Sequence, residues 1–187
     1  MILPIYAYGQ KVLKAKAQNI DSTYEDLELL IANMWETMYN AKGVGLAAPQ
    51  IGKSIRIFIA DTIQLEADEK DLKGIKQVFI NPEIIEESGK ENSYEEGCLS
   101  IPEIRGDVQR LTDVKIGYLN EKFEKVELSL SGINARVVQH EYDHIQGKLF
   151  TEMLPPLKKR LIKRKLENIK KGKIRVDYRM RFVSQNK

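Results

Sequence analysis

Apolar positions recur along this chain with two different periods, and the changes of period mark out its elements. Leu27, Leu30, Ile31, Met34 and Met38 stand three and four apart, the spacing of one helix face, and Gly43 follows as a stop. Just upstream, Ser22 and Glu25 have the form of a helix-capping box. Residues 54–60 (SIRIFIA) are rich in β-branched side chains and predict a strand. Residues 62–76 are acidic and basic by turns and predict a surface loop. Shorter strands are expected near 78–86, 114–119 and 125–130, separated by Asn-Pro, Gly and Asn breaks. A second helix should begin just after Gly132 and run to about Gln146, with Gly147 ending it. A third is expected over about 156–170, with Leu157, Leu161, Leu166 and Ile169 as its apolar stripe and Gly172 beyond. The period then drops to two: Ile174, Val176, Tyr178, Met180 and Phe182 alternate with Arg175, Asp177, Arg179 and Arg181, as in a strand with one buried face. Together these elements predict an α+β fold of mostly antiparallel strands.

Composition narrows the class. The 187 residues suit one domain, and 42% hydrophobic with 30% charged residues reads as globular. No apolar run approaches bilayer length. The start Met1-Ile2-Leu3-Pro4 lacks the basic, then long apolar, pattern of a secretory leader, so the expected compartment is the cytoplasm. The net charge of +3 hides an asymmetry. From Lys158 to Lys187, 13 Lys and Arg stand against Glu167 and Asp177, a balance of +11 that leaves −8 on the rest. Such a basic tail fits a polyanionic partner or a solvated helix face.

Chemistry concentrates in three places. Gln139-His140-Glu141-Tyr142-Asp143-His144 contains His-Glu-x-x-His on the second helix. A spacing of four stacks both imidazoles on one face, within reach of one ion, with Glu141 beside the first. Ile133 and Val137 follow that face and put an apolar wall beside it. A catalytic zinc-type site wants three protein ligands and a water. Phe150 stands where one protease group carries a third histidine. Glu167, 23 residues beyond His144, sits in the basic helix, where an ion pair is its simpler role. Cys98, the single cysteine, cannot form an internal disulfide, and it completes a Cys-His-His set after Gly97. The third place is Gly43-Val44-Gly45-Leu46-Ala47-Ala48-Pro49-Gln50, whose glycines permit close backbone approach and whose Gln50 can donate to an oxyanion.

Together the segments GVGLAAPQ (43–50), EGCLS (96–100) and QHEYDH (139–144) resemble, in the same order, the three motifs of peptide deformylase. The resemblance spans most of residues 1–155 and implies a single deformylase domain over 1–187. It implies a mostly antiparallel α+β fold packed around a central metal-binding helix, with a basic C-terminal helix and strand at about 156–183. The activity it implies is removal of the formyl group from N-formylmethionyl nascent peptides, with release of formate. By the same resemblance Cys98, His140 and His144 bind the metal, and Glu141 is the general base and acid. Gln50 and the Leu99 N–H hold the oxyanion, while Val44, Gly45, Tyr94, Ile133 and Val137 line the methionine pocket and Arg136 stands among them. The residue types alone point to zinc. The family implies Fe2+, with Zn2+, Ni2+ or Co2+ able to take the same site. A basic C-terminal helix in the family implies docking on the ribosome. A noncatalytic alternative is a structural metal domain that binds ribosomal RNA through its tail.

Overall fold

The computed structural model describes residues 1–67 and 72–183. Among the described residues there are three α-helices: α1 (Leu27–Asn40), α2 (Gly132–Ile145) and α3 (Pro156–Lys170). The strands are β1 (Ile5–Tyr6), β2 (Gly45–Ala47), β3 (Ile57–Asp61), β4 (Lys76–Cys98), β5 (Ile101–Leu119), β6 (Lys125–Ser131) and β7 (Met180–Arg181). Strands β2 to β6 form one antiparallel sheet in chain order, and β1 pairs with β7 in parallel.

Strand β3 is buried along its whole length because helices cover both faces of the sheet. Side chains alternate across a strand, so Ile57 and Ile59 join one core with Leu30, Ile31, Met34 and Met38 of α1. Phe58 and Ala60 point the other way, into a second core with Ala135, Val137, Val138 and Ile145 of α2. Stacking of Phe58 on Phe79, with centroids 4.6 Å apart, ties β3 to β4 in that layer. A third core lies under α3, where Ile162 and Ile169 meet Ile101, Ile104, Val108 and Phe150.

Several elements depart from the sequence expectation. Helix α1 begins at Leu27, after Asp26 in the left-handed region (φ 55) with no side-chain cap, so Ser22 and Glu25 do not form a capping box. Instead Asp21 accepts from the Thr23 N–H at 2.9 Å, a local turn that competes with an earlier helix start. Residues 87–98 and 101–113 extend β4 and β5 well beyond the short strands expected, despite their polar composition. Ladder bonds are made by backbone groups, so two polar segments can pair wherever solvent covers their side chains. Of the loop expected over 62–76, residues 68–71 lie outside the described residues, and Ile63–Leu65 form a 3-10 turn. On α3, Leu157 and Leu161 are 67% and 68% exposed, and Ile162, which the expected stripe omits, is buried at 5%. Burial still alternates along 174–182 as expected, but only Met180–Arg181 pairs in a ladder. No described helix is long and apolar enough to cross a membrane.

Candidate metal centre

Two elements meet at the site. The first is the tip of the β4–β5 hairpin, where Cys98 pairs with Ile101 around the two-residue turn Leu99-Ser100. The second is α2, which ends at Gly147 with φ 72, a left-handed stop that glycine tolerates. The Cys98 Sγ and one ring nitrogen each of His140 and His144 lie within 4.8 Å of one another. Sγ is 3.2 Å from His144 Nε2. One soft sulfur with two imidazole nitrogens suits a transition metal and leaves a fourth position open. The Glu141 Oε2 is buried among these groups and has no hydrogen-bond partner among the described residues. The donor set and the unpartnered carboxylate together fit a metal site with a reacting water. Glu167 is exposed on α3 and takes no part in the donor group.

Behind the donors lies a buried charged network that the sequence reading did not assign. His140 Nδ1–H donates to Glu96 Oε2 at 2.9 Å, which directs its Nε2 towards the donor group. Arg110 grips Glu96 through two bonds of 2.7 and 3.0 Å and reaches Asp143 at 2.7 Å. Arg136 donates to Glu96 at 3.0 Å and to the carbonyls of Val108 and Asn92 at 2.9 and 2.6 Å. Burial alone would raise the Glu96 carboxyl, but His140 and Arg110 outweigh it and hold the group well below the ordinary carboxylate range. Burial pushes the Glu141 carboxyl up to about 7. The signal available for Glu96 was its place two residues before the cysteine. Arg110 had none, because its partners come from β4 and α2, far along the chain.

Gln50 lies in a 3-10 turn, Ala48–Ile51, that follows β2. Its Oε1 accepts from the Ala47 N–H at 2.8 Å, so its Nε2 is aimed the other way, towards Cys98 Sγ (3.5 Å) and Ser100 Oγ (3.3 Å). Gly45 is required by close approach: a Cβ there would collide with the Glu141 carboxylate. A cavity of about 640 Å³ opens on the site. Val44, Gly45, Tyr94, Ile133 and Val137 all stand on its wall. So do Gln50, Cys98, Leu99, His140 and Glu141, whereas His144 is fully enclosed behind them. Arg136 is also on the wall, and its guanidinium lies 5.8 Å from the Tyr94 ring centroid.

A His-Glu-x-x-His helix with a cysteine against it, beside an open cavity, defines a class, the metal-dependent hydrolases that work with a buried glutamate. Within that class, residues 2–160 match the family model described as polypeptide deformylase. The chain is 57% identical to the peptide deformylase of Christiangramia forsetii, over 100% of this chain and 99% of that one. It is 45% identical to the peptide deformylase of Salinibacter ruber, over 95% and 93%. Among solved structures, a peptide deformylase from Legionella pneumophila superposes with a TM-score of 0.80 at 39% identity, covering 92% of this chain and 98% of that one. The peptide deformylase from Thermotoga maritima does so at 0.73 and 39%, covering 83% and 99%. This chain belongs to the peptide deformylase family, metal-dependent enzymes that hydrolyse the N-terminal formyl amide of nascent peptides.

Proposed function

We propose that Cys98, His140 and His144 hold one ferrous ion and that Glu141, Gln50 and Leu99 carry out the deformylation around it. The reading rests on one observation, the convergence within 4.8 Å of a sulfur from the hairpin tip and two ring nitrogens from α2. A metal bound there supplies Lewis acidity, which makes water more acidic and the formyl carbonyl more electrophilic. Zinc, nickel or cobalt fits the same donors. Glu141 Oε2 accepts the proton of the attacking water and returns it to the leaving amine, after which formate departs. Gln50 Nε2 and the Leu99 N–H meet the developing oxyanion. Val44, Gly45, Tyr94, Ile133 and Val137 form the wall against which the methionine side chain packs. A formyl group carries only hydrogen on its carbon, so a narrow site admits it and excludes larger acyl groups.

The whole chain is read as one deformylase domain with the basic helix and strand as its C-terminal part. The +11 balance of residues 158–187 supports docking of that part on ribosomal RNA, and the enzyme's place is the cytoplasm, where nascent chains emerge. The test is formate release from formyl-Met-Ala-Ser by protein prepared without oxygen. Glu141→Ala should keep its metal and lose turnover, whereas Cys98→Ala should lose the metal itself. An active Glu141→Ala, or a Cys98→Ala with full metal content, ends these assignments. Cosedimentation with ribosomes that persists unchanged in high salt would remove the electrostatic role of the tail.

A further inference from the structure

The family match ends at residue 160, yet a side chain from beyond it stands on the cavity wall. Tyr178 belongs to the alternating C-terminal segment, and its hydroxyl donates to the Leu99 carbonyl at 2.8 Å. Leu99 is held from its other side as well, since its side chain lies against Gly43, where a Cβ would sit 2.7 Å from Leu99 Cδ1. The next carbonyl, that of Ser100, accepts from the Tyr8 N–H at 2.9 Å. The hairpin tip is thus gripped by both ends of the chain. Those ends are joined to each other: the Ile5 N–H donates to Arg179 O at 2.8 Å and the Ala7 N–H to Arg181 O at 3.0 Å. The phenol is half-buried, and burial, then the nearby Cys98, raises its pKa, so it remains a donor at neutral pH.

We propose that Tyr178 is a positioning residue for deformylation: its hydroxyl holds the Leu99 backbone so that the Leu99 N–H stays aimed at the oxyanion. The inference rests on the oxyanion role given to Leu99 above. Leu99 stands in the turn beyond the last ladder pair, Cys98 with Ile101, and a donor misaimed by a small rotation loses much of its effect on a developing charge. The bond to the carbonyl fixes Leu99 on the side away from Cys98. The C-terminal segment therefore completes the active site as well as closing the small β1–β7 sheet.

The test is Tyr178→Phe in the full-length, metal-loaded enzyme, which keeps the ring and removes only the hydroxyl. The expected result is a roughly tenfold fall in kcat for formyl-Met-Ala-Ser, with KM within about twofold, metal content unchanged and Tm nearly unchanged. Tyr6→Phe is the control, because the Tyr6 hydroxyl accepts from Arg181 at 3.1 Å in the same β1–β7 joint but off the cavity. It should leave kcat unchanged. Wild-type kcat in Tyr178→Phe, or equal losses in both variants, overturns the proposal. Gln50→Glu, which keeps the acceptor and removes the donor, reports separately on the oxyanion reading. Loss of kcat in Gln50→Glu beside an unaffected Tyr178→Phe sinks the Tyr178 role alone. An unaffected Gln50→Glu sinks the oxyanion reading, and the Tyr178 role with it.

Discussion

Helices α2 and α3 have similar lengths and opposite habits. Helix α2 buries Asn134, Arg136, Gln139, Glu141 and His144, polar groups that ordinarily face water. Helix α3 buries only Ile162 and Ile169 and leaves Leu157 and Leu161 outside among its lysines and arginines. Each reverses part of the amphipathic rule, and the reversals have different meanings. A buried polar group costs free energy unless it is partnered, so the α2 set persists through bonds from elsewhere in the fold. Asn134 reaches Thr62 and the Lys73 carbonyl, Arg136 reaches Glu96, and Gln139 reaches Glu87. Three atoms of this set have no hydrogen-bond partner among the described residues: Gln139 Oε1, His144 Nδ1 and Glu141 Oε2, the last where the chemistry is proposed. On α3 the cost is smaller, because an exposed leucine gives up only the gain it would have had on burial.

The contrast is broken or sharpened by four substitutions. The largest effect belongs to Glu141→Gln, which preserves shape and removes the proton acceptor. Its kcat should fall by about 10²–10⁴, and near-normal turnover in steady-state assays would make the unpartnered oxygen a mere packing defect. Next comes Glu96→Gln, which leaves Arg110, Arg136 and His140 facing an uncharged side chain. Breaking a buried charge network should cost about 3–5 kcal/mol in chemical denaturation, with metal affinity about 10–100-fold weaker through His140. Unchanged affinity would separate the network from the metal. Ile162→Ala should cost about 2–5 kcal/mol, because it empties a site in the third core. Leu157→Ala, five residues earlier on the same helix, should stay within about 0.5 kcal/mol. A large loss there in the isolated protein would show that the exposed stripe is structural rather than free for a partner.

The same two helices show what could be read in advance. The bounds of α2 and the edge-to-face approach of His140 and His144, with ring centroids 5.1 Å apart, follow from a spacing of four and a glycine stop. The covered face of α3 differs from the expected stripe because more than one face of this basic helix carries apolar residues. Which face is covered depends on Ile104, Val108 and Leu154, about 8 to 58 residues away. The polar stretch 87–98 offered no strand signal, since its alternation is lost among Glu, Lys, Ser and Asn. It became a strand only by pairing with 101–113.

By itself the sequence determined the strand at β3, the donor spacing on α2, the three motifs and the family they belong to. These depend on local geometry or on residue identity, and both are written in the order of the letters. Tertiary structure alone decided the grip of Arg110 and Arg136 on Glu96, the face of α3 that is covered, and the reach of Tyr178 to Leu99. Each of those is a contact between segments distant in the chain, and its energy exists only once the chain has closed the loops between them.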